Sequence, residues 1–118
     1  GDASGICVSG AGDVNGDNIA DVIVGAPYAS APGTSDSGIT YVVFGKNSNT
    51  FADIQLPTTV MQASVGFRIL GYADDDLSGI SVCAAGDINN DGIGDIIVGA
   101  YYADPPSGSD AGISYVIF

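Results

Sequence analysis

A nine-residue acidic segment that occurs twice constrains this chain more than any other feature. The first copy reads Asp-Val-Asn-Gly-Asp-Asn-Ile-Ala-Asp from Asp13, and the second reads Asp-Ile-Asn-Asn-Asp-Gly-Ile-Gly-Asp from Asp87. Both follow the pattern D-x-N-x-D-x-x-x-D, which places oxygen-bearing side chains at positions 1, 3, 5 and 9. A hard cation such as Ca²⁺ takes several oxygen ligands at once. The pattern therefore predicts two calcium sites.

The odd-numbered positions supply the predicted ligands, because alternate side chains of a tight loop can point inward at one centre. Position 7 is isoleucine in both copies, and it can ligate only through its carbonyl. Positions 4 and 6 are Gly or Asn, which tolerate the left-handed backbone needed to wrap around an ion. The predicted ligands are Asp13, Asn15, Asp17, Ile19 and Asp21 in the first loop, and Asp87, Asn89, Asp91, Ile93 and Asp95 in the second.

Ion-free turns and EF-hand loops are the two alternatives to calcium loops of this kind. Segments rich in Asn and Asp form hairpin turns without any ion, although here both copies keep all four side-chain positions while other positions vary. An EF-hand loop needs a bidentate acid at position 12 and flanking helices. Position 12 is Val24 or Val98, inside a predicted strand. We therefore reject the EF-hand and keep ion-free turns as the alternative.

The repeat extends well beyond the acidic loops. Gly5 to Phe44 aligns with Gly79 to Phe118 without a gap, and more than half of the aligned positions are identical. Self-similarity of this kind indicates repeating units that cannot bury their apolar faces alone. The chain is rich in Gly, Val, Ile, Ser and Tyr and poor in strong helix formers, which is typical of an all-β protein.

The apolar pattern predicts seven short strands. They are Gly5 to Ala11, Val22 to Val24, Ile39 to Phe44 and Phe67 to Gly71, followed by a second set of three that starts at Gly79 and ends at Phe118. The run from Val22 to Val24 is apolar throughout, as in a strand covered on both faces. Lys46 to Val65 is predicted to be a loop, with a short strand or one helical turn near Phe51 to Leu56 as an option.

Four short antiparallel strands per repeat suggest the blade of a β-propeller, a fold that typically needs four to eight blades. Residues 1–74 are predicted to form a first four-stranded blade, and residues 75–118 a second blade that lacks its last strand. The chain thus forms an incomplete propeller, and its open sheet edge and outer apolar faces need a neighbour. We expect neighbouring blades or head-to-tail copies, closing as a ring or extending as a filament.

Composition excludes several classes of function. The chain has 14 acidic residues, two basic residues and a net charge of −12, so nucleic acid and anionic membranes are poor partners. No apolar run approaches the roughly 20 residues that span a bilayer. The chain contains neither His nor Glu, which rules out a His-based triad and a His-based zinc site. We therefore expect no enzymatic activity and no membrane insertion.

The residues also resemble a known family. The run Ser-Gly-Ile-Ser-Val-Cys-Ala-Ala-Gly-Asp-Ile-Asn-Asn-Asp-Gly-Ile-Gly-Asp-Ile-Ile-Val-Gly-Ala and its first copy, which ends Gly25-Ala26-Pro27, are similar to the FG-GAP repeat of integrin α-subunit propellers and microbial surface proteins. The resemblance implies that each repeat is a propeller blade whose acidic loop binds Ca²⁺ between its two innermost strands. The chain departs from the pattern at Ser4-Gly5 and Ser78-Gly79, where the family has Phe-Gly, and at Tyr101, which replaces the proline.

This resemblance implies a calcium-binding structural or adhesive module at the cell surface or outside the cell. One alternative is an accessory propeller of a secreted enzyme. Another is a receptor propeller that engages a protein or glycan through its loops, for which Tyr101 and Tyr102 at a strand exit are the best contact candidates. Tyr41 and Tyr115 lie inside predicted strands and are expected to be packed.

Two further groups of residues have open interpretations. Asp74-Asp75-Asp76 could bind another cation, but a solvated turn is favoured. Cys7 and Cys83 are not equivalent in the repeat and could pair if inner strands approach closely. Two small buried thiols are the favoured interpretation.

Overall fold

The computed structural model describes residues 1–50, 52–106 and 108–118. Its strands are β1 (Cys7–Gly12), β2 (Asp21–Ala26), β3 (Ile39–Val43), β4 (Gly66–Leu70), β5 (Ser78–Gly86), β6 (Asp95–Ala100) and β7 (Ile113–Ile117). These residues contain no helix, and accordingly nothing in this part of the chain is a helix long and apolar enough to cross a membrane. The prediction of an all-β chain with seven short strands is confirmed.

The strands form two antiparallel sheets that follow the sequence order. The first sheet has the order β1-β2-β3-β4 and the second the order β5-β6-β7. Equivalent residues of the two repeats take equivalent places, since Ile23 pairs with Val42 in the first sheet and Ile97 with Val116 in the second. The sheets do not close into a ring, which confirms an incomplete propeller of blade-like sheets. The boundary between the two units near residue 74 stays a prediction.

A β-bulge ends the first strand of each sheet. The pairing register shifts between Gly10 and Gly12 in β1 and between Ala84 and Gly86 in β5. Gly12 and Gly86 have φ angles of 69° and 73°, which glycine adopts without the penalty that a side chain brings. Each bulge turns the chain out of its strand and directly into an acidic loop.

The main core lies between the two sheets. Its buried members are Ala11, Ile23 and Val42 from the first sheet and Val82, Ile96 and Val98 from the second. A second cluster on the outer face of the first sheet includes Ile39 and Tyr41, with Leu56 and Met61 packed against it from the segment between β3 and β4. The Tyr41 hydroxyl donates a hydrogen bond to the Pro57 carbonyl at 3.2 Å. That segment therefore covers part of the outer face.

The sheets approach so closely at one point that backbone meets backbone. A Cβ added to Gly25 in β2 would lie 2.0 Å from the carbonyl oxygen of Gly79 in β5. Gly79 itself has a φ of 88°, and a Cβ there would lie 2.6 Å from Thr40 Oγ1. The Ser-Gly that opens the second repeat is thus required for the contact between the sheets.

Several expectations for single residues need correction. Val22 is 48% exposed, so one face of β2 is only partly covered. Tyr41 is buried as predicted, but Tyr115 is 38% exposed because it borders a cavity at one end of the sheets. Both thiols are free, and the expectation that both are buried is wrong for Cys83, which is exposed on the outer face of the second sheet, whereas Cys7 is half-buried.

The segment between β3 and β4 is irregular, as expected for a loop. Residues 52–56 form neither a strand nor a helical turn. Phe51, where that optional element was predicted to begin, lies outside the described residues. Arg68 in β4 holds the end of the segment by donating hydrogen bonds to the carbonyls of Thr58 and Thr59.

Candidate metal centres

The two acidic loops lie at the same end of the molecule. Residues 13–21 join β1 to β2, and residues 87–95 join β5 to β6. Their backbones touch, because the Gly94 N–H donates to the Asp13 carbonyl at 2.7 Å. The candidate ligands of both repeats are therefore gathered at one edge of the stacked sheets.

Asp13, at position 1 of the first loop, receives hydrogen bonds from the loop backbone. Its carboxylate accepts N–H groups from Gly16 at 2.7 Å, Asp17 at 3.0 Å and Asn18 at 2.7 Å. Desolvation raises the pKa of this carboxyl, but the combined backbone hydrogen bonds outweigh it, and the pKa of Asp13 lies below its ordinary value of 3.8. The loop is thus built to hold a charged carboxylate at this position.

Positions 3 and 5 of the first loop are joined to each other. Asn15 Nδ2 donates to Asp17 Oδ2 at 3.2 Å, and Asp17 Oδ1 accepts the Ile19 N–H at 2.8 Å. Gly16 and Asn18 have φ angles of 77° and 64°. The predicted left-handed backbone at positions 4 and 6 is confirmed.

Asp21, at position 9, has a different environment. It is 1% exposed, and its two oxygens accept N–H groups from Val14 at 2.8 Å and Gly45 at 2.9 Å. This carboxylate ties the loop to the chain that leaves β3. Sequence reasoning missed Gly45, whose added Cβ would lie 2.1 Å from the Ala20 carbonyl oxygen. The glycine directly after the aromatic strand was the available signal.

The second loop repeats this arrangement. Asp87 accepts N–H groups from Asp91 at 3.0 Å and Gly92 at 2.8 Å. Asn89 Nδ2 donates to Asp91 Oδ2 at 3.0 Å, and Asp91 Oδ1 accepts the Ile93 N–H at 2.8 Å. Asn90 and Gly92, at positions 4 and 6, again have positive φ angles of 60° and 85°. Two stretches that differ at four of nine positions thus adopt the same loop.

Asp95 differs from its counterpart Asp21 in one respect. Its side chain is 0% exposed, and Oδ2 accepts the Ile88 N–H at 2.8 Å. Among the residues that the structure describes, its Oδ1 is buried without a hydrogen-bond partner. In the first loop the matching oxygen of Asp21 accepts the Gly45 N–H at 2.9 Å.

The oxygen atoms of each loop suit Ca²⁺ in kind, since they comprise three carboxylates, one amide and one carbonyl per loop. In the described part of the chain, however, no three carboxylates or thiols converge closely enough to hold a metal ion. The carboxylates are turned instead toward loop N–H groups. An ion would have to draw them together, and the ten predicted ligands stay a prediction.

A cavity of about 540 Å³ lies at the opposite end of the sheets, between the β4–β5 and β6–β7 loops. Aromatic and acidic side chains line it, among them Tyr72, Tyr102, Tyr115, Asp75, Asp104 and Asp110. Tyr101 and Tyr102 stack edge to face with ring centroids 4.7 Å apart. Both are exposed, as expected of contact candidates.

The triple-aspartate segment is a turn, as the sequence favoured, with Asp74 and Asp75 exposed and Asp76 buried. Asp74 Oδ1 accepts the Ser35 N–H at 2.9 Å. Asp76 is 7% exposed and accepts the Ala73 N–H at 3.1 Å. The bond from Ser35 connects the β4–β5 loop to the β2–β3 loop. The segment therefore forms one wall of the cavity.

Comparison with known proteins gives a consistent result. The model of the FG-GAP repeat matches residues 8–43 and 78–117. Mouse (Mus musculus) integrin alpha-7 is 39% identical over 88 residues, which cover 75% of this chain and 6% of that protein. Drosophila melanogaster integrin alpha-PS2 is 32% identical over 108 residues, covering 88% of this chain and 7% of that protein. Mouse phosphatidylinositol-glycan-specific phospholipase D is 33% identical over 88 residues, which cover 75% of this chain and 10% of that protein. The chain spans about a tenth or less of each.

Proposed function

The chain belongs to the FG-GAP repeat family, and on that premise we propose that it is a calcium-stabilised structural or adhesive module of an extracellular or cell-surface protein. The observation that carries this proposal is the duplicated loop. Both copies keep the same oxygen positions, a left-handed backbone at positions 4 and 6 and most of the same hydrogen bonds, although their other positions vary. Ion-free turns would need only some of these features, and only locally.

Calcium would supply positive charge that offsets the three aspartates of each loop. In the first loop, Asp13, Asp17 and Asp21 all accept backbone N–H groups. A carboxylate oxygen has more than one lone pair, so Asp21 can ligate while keeping these bonds.

The proposed affinity agrees with a location outside the cell. Extracellular calcium modules bind with dissociation constants of roughly 10⁻⁴ to 10⁻³ M. Loops that are largely exposed and that need side-chain rearrangement belong in that weak range. Binding of this strength suits constitutive stabilisation rather than a response to brief calcium signals.

Thermal unfolding with and without calcium tests the calcium proposal. An ion at about 100 times its dissociation constant stabilises the native state by about 2.7 kcal/mol per site. We expect the melting temperature to fall in chelator, and Asp17→Ala and Asp91→Ala each to remove part of the difference. Asp53→Ala, outside both loops, is the matched control. Identical melting curves in calcium and chelator would contradict the proposal.

The second part of the proposal is that neighbouring blades complete the module. Ile23 and Val42, which fill the core between the sheets, have Ile97 and Val116 as their equivalents in the second repeat. Ile97 and Val116 are 37% and 44% exposed on the outer face of the second sheet. That outer face therefore presents the same apolar pattern that the first sheet buries.

The outer face of the first sheet carries the apolar residues that would pack against such a face. Val82 and Ile96 are 5% and 2% exposed in the core, and their equivalents Val8 and Val22 are 63% and 48% exposed. A second copy, or a further repeat, can dock the part of its first sheet around Val8 and Val22 in this way, while Leu56 and Met61 already cover the part around Tyr41. Stacking of that kind is head to tail, and two blades per chain give rings of six or eight blades or an open filament.

Cysteine accessibility tests this packing. Cys83 is exposed on the outer face of the second sheet, whereas Cys7 is half-buried with its Sγ 3.4 Å from the Val82 nitrogen. In calcium at high protein concentration, we expect thiol labelling of Cys83 to slow and light scattering to show association. Ile97→Lys should abolish both effects while leaving Cys7 labelling unchanged. A chain that stays monomeric with constant Cys83 labelling would contradict the assembly.

The cavity at the opposite end favours a receptor propeller as the second candidate function. Its tyrosines and aspartates offer stacking surfaces and hydrogen-bond acceptors to a protein or glycan ligand. Tyr102→Ala, combined with binding assays on peptide and glycan arrays, tests it. We propose no catalytic role for this chain, which has no His and no Glu, although one relative is a phospholipase by name.

A further inference from the structure

One backbone contact joins the two acidic loops directly. The Gly94 N–H donates to the Asp13 carbonyl at 2.7 Å. Gly94 is position 8 of the second loop and lies between Ile93 and Asp95, two proposed ligands. Asp13 is position 1 of the first loop and a proposed ligand itself. The hydrogen bond therefore connects the ligand-bearing backbone of one loop to that of the other.

The contact explains why position 8 is glycine in the second loop and alanine in the first. A Cβ on Gly94 would lie 3.0 Å from the Ala11 carbonyl oxygen and 3.2 Å from the Asp13 carbonyl oxygen. Gly94 has no positive φ angle, so the backbone conformation does not demand glycine. The space around it favours glycine instead, because Ala11 of β1 and Asp13 of the first loop lie against it. Ala20 is the equivalent residue of the first loop.

We propose that the two loops form one coupled calcium-binding unit, in which an ion in either loop raises the calcium affinity of the other through the Gly94–Asp13 contact. The proposal rests on the calcium-binding function proposed above. No three carboxylates converge within the described residues, so an ion must first draw the carboxylates of its loop together. Ordering residues 93–95 also restrains Asp13 through the shared hydrogen bond, and the next ion then has less to order.

Charge acts in the opposite direction. An ion in one loop makes the surroundings of the other less negative and so weakens its attraction for calcium. Both loops are largely exposed, and salt at physiological strength screens such charges beyond about 8 Å. The hydrogen-bonded contact is not screened. We therefore expect positive coupling at physiological ionic strength, and coupling that persists when the salt concentration rises.

Calcium titration of the full chain, followed by the ¹⁵N–¹H signals of Gly16 and Gly92, reports on each loop separately. With Asp91→Ala, we expect the calcium midpoint of the Gly16 signal to rise by about 5-fold or more, the lower end of usual coupling. Asp17→Ala should raise the Gly92 midpoint by the same factor, because coupling between sites is reciprocal. Unchanged midpoints in both variants would overturn the coupling while leaving calcium binding intact. Absence of any response to calcium would instead overturn the proposed function itself.

Salt and a contact variant separate the two routes of coupling. The midpoint shifts should be similar in about 0.15 M and about 0.5 M KCl, and a shift that disappears at the higher salt is electrostatic and overturns the contact. Gly94→Ala keeps every proposed ligand, and in that background Asp91→Ala should no longer move the Gly16 midpoint. Ala20→Gly, the equivalent change in the first loop, should leave the coupling intact. Persistent coupling in a folded Gly94→Ala chain would refute the role of the contact.

Discussion

Ile23 and Ile97 are the same residue at the same position of the two repeats, and they should respond very differently to truncation. Ile23 is 0% exposed between the sheets, whereas Ile97 is 37% exposed on the outer face of the second sheet. Isoleucine to alanine removes three carbons, or about 2.4 kcal/mol of transfer free energy at ~0.8 kcal/mol per buried methylene. At Ile23 a cavity adds to this, and the expected loss of stability is about 3 to 4 kcal/mol.

Because Ile97 is 37% exposed, only about two-thirds of that transfer free energy applies there, and truncation leaves no enclosed cavity. We therefore expect Ile97→Ala to lower the free energy of unfolding by about 1.5 kcal/mol. Urea unfolding followed by circular dichroism measures both variants, in dilute protein and saturating calcium. For a slope near 1.5 kcal/mol/M, the midpoint should fall by about 2 M for Ile23→Ala and about 1 M for Ile97→Ala. Equal losses would refute the assignment of Ile23 to the core and Ile97 to an open face.

Three further variants test separate parts of the structure. Gly79→Ala should destabilise the chain by about 1 to 3 kcal/mol more than Gly5→Ala in thermal melts, because only the former sets a Cβ against Thr40 Oγ1 while both share a positive φ. Asp21→Ala should cost about 1 to 3 kcal/mol even in chelator, because it leaves two partly buried N–H groups unpaired; no loss in chelator would contradict this structural role. Burial raises the pKa of Tyr41 above 10.0, so its contribution to stability is complete below that pH and is lost as pH rises through the higher value. Tyr41→Phe should therefore flatten the alkaline fall in stability, which denaturant titration at several pH values measures.

Much of this fold could be predicted from the sequence, because the informative features are local and occur twice. Alternating β-branched residues define the strands, and the Gly and Asn at positions 4 and 6 define the shape of the acidic loops. The two copies support the same loop shape, since Asn18 and Gly92, both at position 6, adopt the left-handed conformation although they are different residue types. Family resemblance and strand count then limit the architecture to propeller blades.

What the sequence could not provide depends on contacts between distant segments. The Gly45 N–H donates to the Asp21 carboxylate, and the Gly94 N–H donates to the Asp13 carbonyl. Each of these pairs meets only because the folded sheets bring the two residues together. Exposure of Cys83 depends on whether a neighbour covers the outer face of the second sheet. The sequence around Cys83 does not encode the presence of such a neighbour. Equivalent residues such as Ile23 and Ile97 have closely similar local sequence signals and different burial. A sequence repeat therefore predicts whether a segment forms a strand or a loop better than it predicts how deeply that segment is buried.

The number of calcium ions that the 118-residue chain binds is the most direct test of the calcium proposal. Isothermal titration with calcium, on protein first stripped by chelator, should give two ions per chain, with dissociation constants of roughly 10⁻⁴ to 10⁻³ M. Asp17→Ala and Asp91→Ala should each reduce the stoichiometry to one. A folded chain that binds no calcium at millimolar concentration would contradict the central claim, and the loops would then be ion-free turns.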